Sequence, residues 1–329
     1  MIDHLNFYAI EELKNTKQKP KESLRVKFMY QKVNTQGAKL LGDYMAKNCL
    51  NLDKLHIDLG NNQLGVPSMK HVLNGLKQCK KLKYFYFNTS ENRLGSQGPK
   101  DLSQALQLLK ELCEIELFME SNQISDEGIQ HLFQGLKHNN KMKRLSIHLG
   151  NNSIYHGGIP GFVDCISSLR NLSVIEIFLS HNFITNQGLK EISKILVYSS
   201  SIRAFMLEFS NNDIDKEGIQ YLSDALKTCS TLKKLYLKLS YNTVGREGMQ
   251  SLSQGIQYCT ELTHLSLFLQ SSLIDYEGCT QLVNAVKSCK YLSYFFVFAW
   301  MCDFVSWQQE KLLKSLKKQK RLVECQFQI

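Results

Sequence analysis

Residues 232–242 read LKKLYLKLSYN, and the same eleven-residue pattern stands thirty residues earlier as IRAFMLEFSNN (202–212). It stands earlier still as LSVIEIFLSHN (172–182) and MKRLSIHLGNN (142–152). The asparagine that closes the pattern recurs at Asn62, Asn92, Asn122, Asn152, Asn182, Asn212 and Asn242, and Ser272 takes the next place. A fixed period of this length predicts a solenoid, in which each unit buries its apolar face against its neighbours.

Within one period the sequence changes from strand-like to helix-like. Leu235, Leu237 and Leu239 alternate with polar residues, which is typical of a half-buried strand. Farther along the preceding unit, Asp215 is a candidate helix cap, and apolar residues then fall three or four apart at Ile219, Leu222 and Leu226. Each unit is therefore predicted to be strand, turn and helix, which makes the fold class α/β.

The repeated asparagines and glycines have structural explanations. Stacked turns leave buried backbone donors and acceptors, and an amide side chain can satisfy both kinds. The glycines recur at Gly98, Gly128, Gly158, Gly188, Gly218, Gly248 and Gly278, and we interpret them as close-packing or special-backbone positions. Neither series indicates catalysis or a phosphate-binding loop.

The pattern LxxLxLxLxxNxI, followed by a glycine and a helix, resembles the leucine-rich repeats of the ribonuclease-inhibitor type, with two extra residues before the asparagine. The 30-residue spacing is similar to repeat arrays abundant in ciliated protists. The resemblance covers about Leu24 to Ile329. It implies a horseshoe with a parallel sheet on the concave face and helices on the convex face, and a function of binding through that curved surface.

The expected domain organisation is a single array over residues 24–329, with about ten repeats and a terminal strand. Residues 1–23 are expected to form an N-terminal arm or capping helix. Degenerate units at the ends are typical of such arrays. In the first unit Lys32 or Val33 is expected at the asparagine position, and in the last unit Cys302 is expected there.

The outward strand positions contain two groups of candidate binding residues. The acidic group comprises Glu114, Glu116 and Glu120 around Phe118, with Glu176 and Glu208 on nearby strands. Side chains of one sign repel unless a basic partner meets them. The acidic group is therefore either a solvated polar face or a dock for a basic segment.

The second group is aromatic and comprises Phe178, Tyr236, Phe268, Tyr294, Phe296, Phe298 and Trp300. An apolar patch of this kind is typical of an interface. The alternative is that residues 303–321 fold over the aromatic side chains and cover them. Tyr84 and Tyr86 are a weaker second candidate contact.

The chain has 40 basic and 30 acidic residues, a formal net charge of +10. The run 310–321 is strongly basic and is either the solvated face of a capping helix or a contact for acidic protein, RNA or anionic lipid. Nucleic acid is not the preferred partner, because glutamates on the concave face would repel phosphates. The N-terminus has no signal-peptide pattern, and residues 291–307 are too short and too interrupted for a membrane span.

No sequence pattern indicates chemistry. Cys49, Cys79, Cys229, Cys259 and Cys289 share the thirty-residue register and are interpreted as small packing residues, and no CxxC pair suggests zinc. No nucleotide-binding or nucleophile motif occurs. Neither a metal nor a cofactor is expected, and the protein is not expected to be an enzyme.

The sequence therefore predicts an intracellular, cytoplasmic protein-interaction scaffold or adaptor, a subunit of a larger assembly such as a ciliary or cytoskeletal one. The alternatives are a nucleic-acid or ribonucleoprotein binder acting through basic termini and convex surface, or an inhibitor of a partner enzyme. A purely regulatory array is a further possibility. The partner and the oligomeric state are left open.

Overall fold

The computed structural model describes residues 2–300, 306–317, 319, 322 and 324–328. The chain divides into two compact units. The first contains Met1–Ile154 and Asp164–Leu172, and the second contains Tyr155–Val163 and Ser173–Ile329.

The first unit contains a parallel sheet whose strands pair in chain order. The strands are β1 (Ile2–Phe7), β2 (Pro20–Lys27), β3 (Lys54–Asp58), β4 (Tyr84–Asn88), β5 (Glu114–Phe118) and β6 (Arg144–His148). The helices between them are α1 (Ile10–Asn15), α2 (Thr35–Asn48), α3 (Gly65–Leu76), α4 (Gln97–Leu106) and α5 (Asp126–Leu136). After β6, a 3-10 turn at His156–Gly158 and the start of α6 (Ile159–Ser168) belong to the second unit, and the rest of α6 belongs to the first.

The second unit has the same organisation, again with parallel strands paired in chain order. The strands are β7 (Val174–Phe178), β8 (Ala204–Glu208), β9 (Lys234–Lys238), β10 (His264–Phe268), β11 (Tyr294–Phe298) and β12 (Glu324–Gln328). The helices are α7 (Asn186–Tyr198), α8 (Lys216–Leu226), α9 (Gly245–Gln257), α10 (Tyr276–Ser288) and α11 (Ser306–Lys317).

The predicted α/β repeat of strand, turn and helix is confirmed. In β9 and β10 the register pairs Leu235 with Leu265 and Leu237 with Leu267, and all four are fully buried or nearly so. In the five-residue strands β3 to β11 the first, third and fifth residues point the other way and are mostly half-exposed. We call this second side of each sheet the open face.

The N-terminal segment differs from the expected arm or capping helix. Residues 2–15 form β1 and α1, and β1 pairs with β2, so the segment repeats the strand-helix order. Leu5, Phe7 and Leu13 are buried and supply its apolar contacts. The expected boundary at residue 23 falls inside β2.

The asparagine position of the first unit also differs from the prediction. The register pairs Ser23 with Lys54, a step of 31 residues, so Gln31 corresponds to Asn62. Its side-chain amide donates to the Lys27 carbonyl over 3.3 Å and to the Tyr8 carbonyl. The prediction of Lys32 or Val33 was wrong because it assumed a step near thirty. Cys302, the position predicted for the last unit, lies outside the described residues.

The asparagines lie in the turns that follow the strands, where they join one repeat to the next. Asn92 Nδ2 donates to the carbonyls of Leu59 and Thr89, over 2.8 and 3.0 Å. Its Oδ1 accepts from the backbone amides of Asn62 and Leu64, over 3.2 and 3.0 Å. One side chain therefore satisfies donors and acceptors in two adjacent repeats, where water has no access.

The glycine that recurs near the start of most helices allows close packing. A Cβ atom at Gly128 would lie 2.9 Å from Ile124 Cγ2 and 3.0 Å from Ser96 Cα. Both distances are shorter than side-chain contacts normally allow, so a larger residue would push neighbouring turns apart.

Candidate functional site

Most of the candidate acidic residues have hydrogen-bond or ion-pair partners within the chain. The Tyr84 hydroxyl donates to Glu116 over 3.2 Å, and Glu120 accepts from Ser90 and lies 3.6 Å from His148 Nδ1. The sequence pattern could not show these partners because they come from different repeats.

Two of the remaining three acidic residues are also unavailable to a partner. Glu208 pairs with Lys238 and accepts from the Ser180 hydroxyl over 2.9 Å, and Glu176 is buried. Glu114 is exposed, and its register neighbour on β6 is Arg144. These contacts argue against an acidic dock for a basic segment.

The aromatic residues of the second unit form a connected cluster on its open face. The ring of Phe268 lies 5.1 Å from Tyr236, 5.1 Å from Phe296 and 6.4 Å from Phe298, measured between centroids. Beside this cluster, Tyr294 stacks on His264 at 5.7 Å. Most of these rings are half-buried, and Trp300, in the turn after β11, is 52% exposed. We call Tyr236, Phe268, Phe296, Phe298 and Trp300 the aromatic patch.

Phe178, the remaining aromatic candidate, is half-exposed on the open face at the end of β7. Burial is the main reason that the pKa of Tyr236 is raised to about 12, with a smaller contribution from Glu208. The Tyr236 hydroxyl therefore stays protonated and can donate a hydrogen bond at neutral pH.

The C-terminal helix does not cover the aromatic patch. Within the suggested covering segment 303–321, residues 306–317 form α11, which packs against α10. The Trp307 ring of α11 lies 6.0 Å from Tyr276 of α10. Much of the basic run 310–321 is thus on the helix side, as a capping helix would be. Residues 303–305, 318, 320 and 321 of the suggested cover lie outside the described part of the chain.

The first unit contains an aromatic stack that the sequence analysis mostly missed. The His56 and Tyr86 rings stack at 3.9 Å, Tyr86 lies 5.0 Å from Phe118, and Phe118 stacks on His148 at 4.0 Å. The rings run across β3 to β6. Counting histidines among the rings at strand positions three and five would have found the stack.

A basic depression of about 350 Å³ lies on the open face at the N-terminal strands. Its lining includes His4, Ser23, Arg25, Lys54 and His56. Burial, with the charges of Arg25 and Lys27, lowers the pKa of His56 to about 4. His56 is therefore neutral at pH 7, in surroundings that are already positive.

The described residues show few features of a metal-binding or nucleophilic site. They contain no group of three or more His, Cys, Asp or Glu placed to hold a metal ion. Four of the five cysteines on the shared register are almost completely buried, and Cys229 is 8% exposed. Burial raises the pKa of Cys229 to about 11 and that of Cys259 further still, so both are protonated and poor nucleophiles at neutral pH. Within the same described ranges, no helix is long and apolar enough to cross a membrane.

A comparison with known protein families supports the thirty-residue repeat. The family described as Leucine Rich repeat matches residues 228–253, which begin just after α8 and run through β9 into α9. This match covers a single repeat, and the strand-turn-helix architecture of the described residues is that of a leucine-rich-repeat solenoid. Proteins of this class present extended surfaces to protein partners.

A chain in the crystal structure of the Rad7 and Elc1 complex in yeast is similar to this one. It shares 13% identity, with a TM-score of 0.46, over 95% of this chain and 76% of that chain. A similarity of this size does not bear on the partners of the present protein. No curated protein matches the chain.

Proposed function

We propose that the protein is a non-catalytic interaction scaffold that binds a partner protein through the open face of its second unit. The aromatic patch is the observation that supports this function. The rings of Tyr236, Phe268, Phe296 and Phe298 already form a connected cluster on a hydrogen-bonded sheet, so they lose little conformational freedom when a partner binds. Half-exposed aromatic side chains of this kind are frequent anchors of interfaces.

The acidic residues have a smaller role in this proposal than their sequence pattern suggests. Glu208 is held by Lys238 beside Tyr236, so this part of the face carries little net charge. Affinity would come from the aromatic patch, and Glu114 with Phe118 would contribute at most an additional contact on the first unit.

The setting of the scaffold is proposed to be a larger cytoplasmic assembly. Buried thiols such as Cys229 and Cys259 suit a reducing compartment. The resemblance to arrays abundant in ciliated protists makes ciliary or cytoskeletal extracts the first material in which to seek the partner.

The test is affinity capture from native extract with the wild type and the variant Phe296→Ser/Trp300→Ser. The matched control is Tyr258→Ser/Trp307→Ser, which removes two exposed aromatic residues from the helix side. We expect the open-face variant to lose a defined protein partner, by at least about tenfold for two anchors, and the control to retain it. Circular dichroism and the single variant Trp300→Ser separate loss of binding from loss of folding.

The opposite result would be partners that survive the Phe296→Ser/Trp300→Ser change but are released by salt. Binding would then be electrostatic, and the basic helix side would become the candidate for RNA or another polyanion. Recovery of one tightly bound enzyme would instead favour the inhibitor alternative.

A further inference from the structure

A group of basic side chains on the open face of the first unit is not neutralised within the chain. Arg25 and Lys27 lie on β2, and Lys54 precedes His56 on β3. The register places Arg25 directly beside His56. Arg25, Lys27 and Lys54 are all exposed. We call these three residues and His56 the basic cluster.

Three acidic residues on or next to the neighbouring strands β1 and β3 have partners outside the basic cluster. Asp53 pairs with Lys83 over 3.0 Å, and Asp3 pairs with Lys21 over 3.5 Å. Asp58 is the register neighbour of Lys27, but it accepts from Asn88 Nδ2 and the Gly60 amide, over 3.0 and 3.2 Å. Over the described ranges, none of the three cations of the basic cluster has an ion pair within 4.0 Å.

The His56 ring lies in the positive electrostatic field of Arg25 and Lys27. It stacks on Tyr86, which restricts its exposure, and its pKa is lowered by burial and by Arg25 and Lys27. Adding a proton there would place another positive charge beside uncompensated cations. An anion in the depression would offset the part of that penalty that comes from Arg25 and Lys27.

The depression also supplies polar groups suited to oxygen ligands. Asn6 and Ser23 line it next to Arg25 and Lys54, and the Ser23 hydroxyl lies 2.8 Å from His4 Nδ1. A guanidinium and an ammonium at adjacent strands can each make a charge-assisted hydrogen bond to a carboxylate. The volume of about 350 Å³ suits a few side chains and not a whole domain.

We propose that the basic cluster binds a short acidic peptide segment of a protein partner, through Asp or Glu carboxylates. The proposal rests on the scaffold function proposed above, and it adds the chemistry of a second contact with the partner protein. A carboxylate peptide is favoured over a nucleic acid because acidic residues lie on β5, which is three strands from β2, about 14 Å at the usual strand spacing. There Glu114 and Glu116 would repel a continuous phosphate backbone but leave room for a short segment.

The experiment measures fluorescence anisotropy of a labelled peptide rich in Asp and Glu with the full-length protein. An equally long peptide of Asn and Gln is the uncharged probe. We expect Arg25→Gln/Lys54→Gln to weaken binding of the acidic peptide about tenfold or more, which corresponds to the loss of charge-assisted hydrogen bonds.

The matched control is Lys80→Gln/Arg93→Gln, which removes one lysine and one arginine of the same unit. Both residues are exposed, and Arg93 stands in a turn position that Gln63 and Gln123 occupy in adjacent repeats. The control is expected to change affinity less than about twofold, because surface charges act weakly at a distance in salt. Equal losses in both variants would overturn the proposal, since they would show non-specific attraction to net charge.

A second readout follows the His56 ring by NMR as pH is varied. Bound carboxylate is expected to raise the pKa of His56 from about 4, against the opposing charges of Arg25, Lys27 and Lys54. An unchanged His56 titration with bound peptide would place the peptide elsewhere and overturn the proposal.

Two further probes separate sources of negative charge. Tighter binding of a single-stranded RNA oligonucleotide than of the peptide would overturn the proposal in favour of nucleic acid. Competition by millimolar inorganic phosphate would overturn it in favour of a small anion site. The variant Phe296→Ser/Trp300→Ser is expected to keep peptide binding, so failure of the aromatic patch and failure of the basic cluster are distinguished.

Discussion

At the scale of single residues, the asparagine in each turn has a role that few other side chains can fill. Asn122 Nδ2 donates to the Thr89 carbonyl over 2.9 Å, while its Oδ1 accepts from the amides of Asn92 and Leu94. Ser272 takes the same place in its repeat, where its hydroxyl lies 3.0 Å from the Leu239 carbonyl. A serine is shorter and has a single hydrogen to donate, so it replaces only part of the asparagine's contacts.

The first prediction compares these two positions. Asn122→Ala leaves buried amides and a buried carbonyl unsatisfied and should cost about 3 kcal/mol of unfolding free energy. Ser272→Asn should raise the unfolding free energy by about 1 kcal/mol, because an amide oxygen becomes available to accept hydrogen bonds from the backbone of the preceding turn. Urea denaturation measures both changes.

Asn140→Ala is the control, since Asn140 is exposed, and it should change stability by less than about 0.5 kcal/mol. A loss at Asn122 no larger than at Asn140 would mean that water reaches the ladder and replaces its hydrogen bonds.

At the scale of elements, helix starts differ in how well they are capped. Asp275 accepts from the Gly278 amide over 2.9 Å at the start of α10, and Arg246 contacts the same carboxylate. Burial opposes the charge of Asp275, but these two partners outweigh it and hold its pKa below the usual value. Thr185 stands at the start of α7 without a side-chain cap.

The second prediction is that Asp275→Ala costs about 1 kcal/mol at neutral pH, as the loss of a helix cap usually does. Thr185→Ala, the control, should cost clearly less. Because the pKa of Asp275 is lowered on folding, the stability its charge gives is present above the unfolded pKa and is lost as pH falls through the folded value. The difference between wild type and Asp275→Ala should therefore shrink in acid. A pH-independent difference would show that the carboxylate charge is unimportant.

The sequence predicted the elements better than it predicted their contacts. The alternation at Leu235 and Leu237 determines which side chains are buried, because a one-residue slip would expose them all. The same alternation placed Phe296 and Phe298 on the open face. The alternation could not show that Glu208 forms an ion pair with Lys238 or that Tyr84 donates a hydrogen bond to Glu116. Those contacts depend on side-chain conformations in neighbouring repeats.

The N-terminal elements were missed for a related reason. The segment that contains β1 and α1 is shorter than a full repeat, and β1 pairs with β2 at a register step that is not thirty residues. The thirty-residue period of the sequence therefore did not extend to Leu5 and Phe7. The 31-residue step that assigns Gln31 likewise became visible only from strand pairing.

At the scale of the whole molecule, each of the two units is a row of repeats whose strands pair only with the preceding and following strand. Stability in such an arrangement is close to a sum of repeat and nearest-neighbour contributions. Substitutions in adjacent repeats should therefore interact, and substitutions two repeats apart should not.

The third prediction tests this within the first unit. The side-chain amides of Asn92 and Asn122 both donate to the Thr89 carbonyl, over 3.0 and 2.9 Å, so each single variant leaves that carbonyl one donor and the double variant removes both. Asn92→Ala/Asn122→Ala should therefore cost about 1 kcal/mol more than the sum of the single variants. Asn62→Ala/Asn122→Ala should be additive within about 0.5 kcal/mol. Strong coupling between Asn62 and Asn122, measured by urea denaturation, would show cooperativity beyond nearest neighbours.

The constant step of thirty residues from β3 to β11 also has a consequence for the gene. Unequal recombination between two repeats would delete or duplicate one whole period and leave every leucine and asparagine downstream in its place. The residues on the open face would be carried along as a block, so new combinations of surface could arise without a loss of folding. The step of 31 residues between β2 and β3 breaks this regularity, because joining positions thirty residues apart there would shift the ladder by one position. We therefore expect natural variants in copy number to be confined to the part of the chain that follows β3.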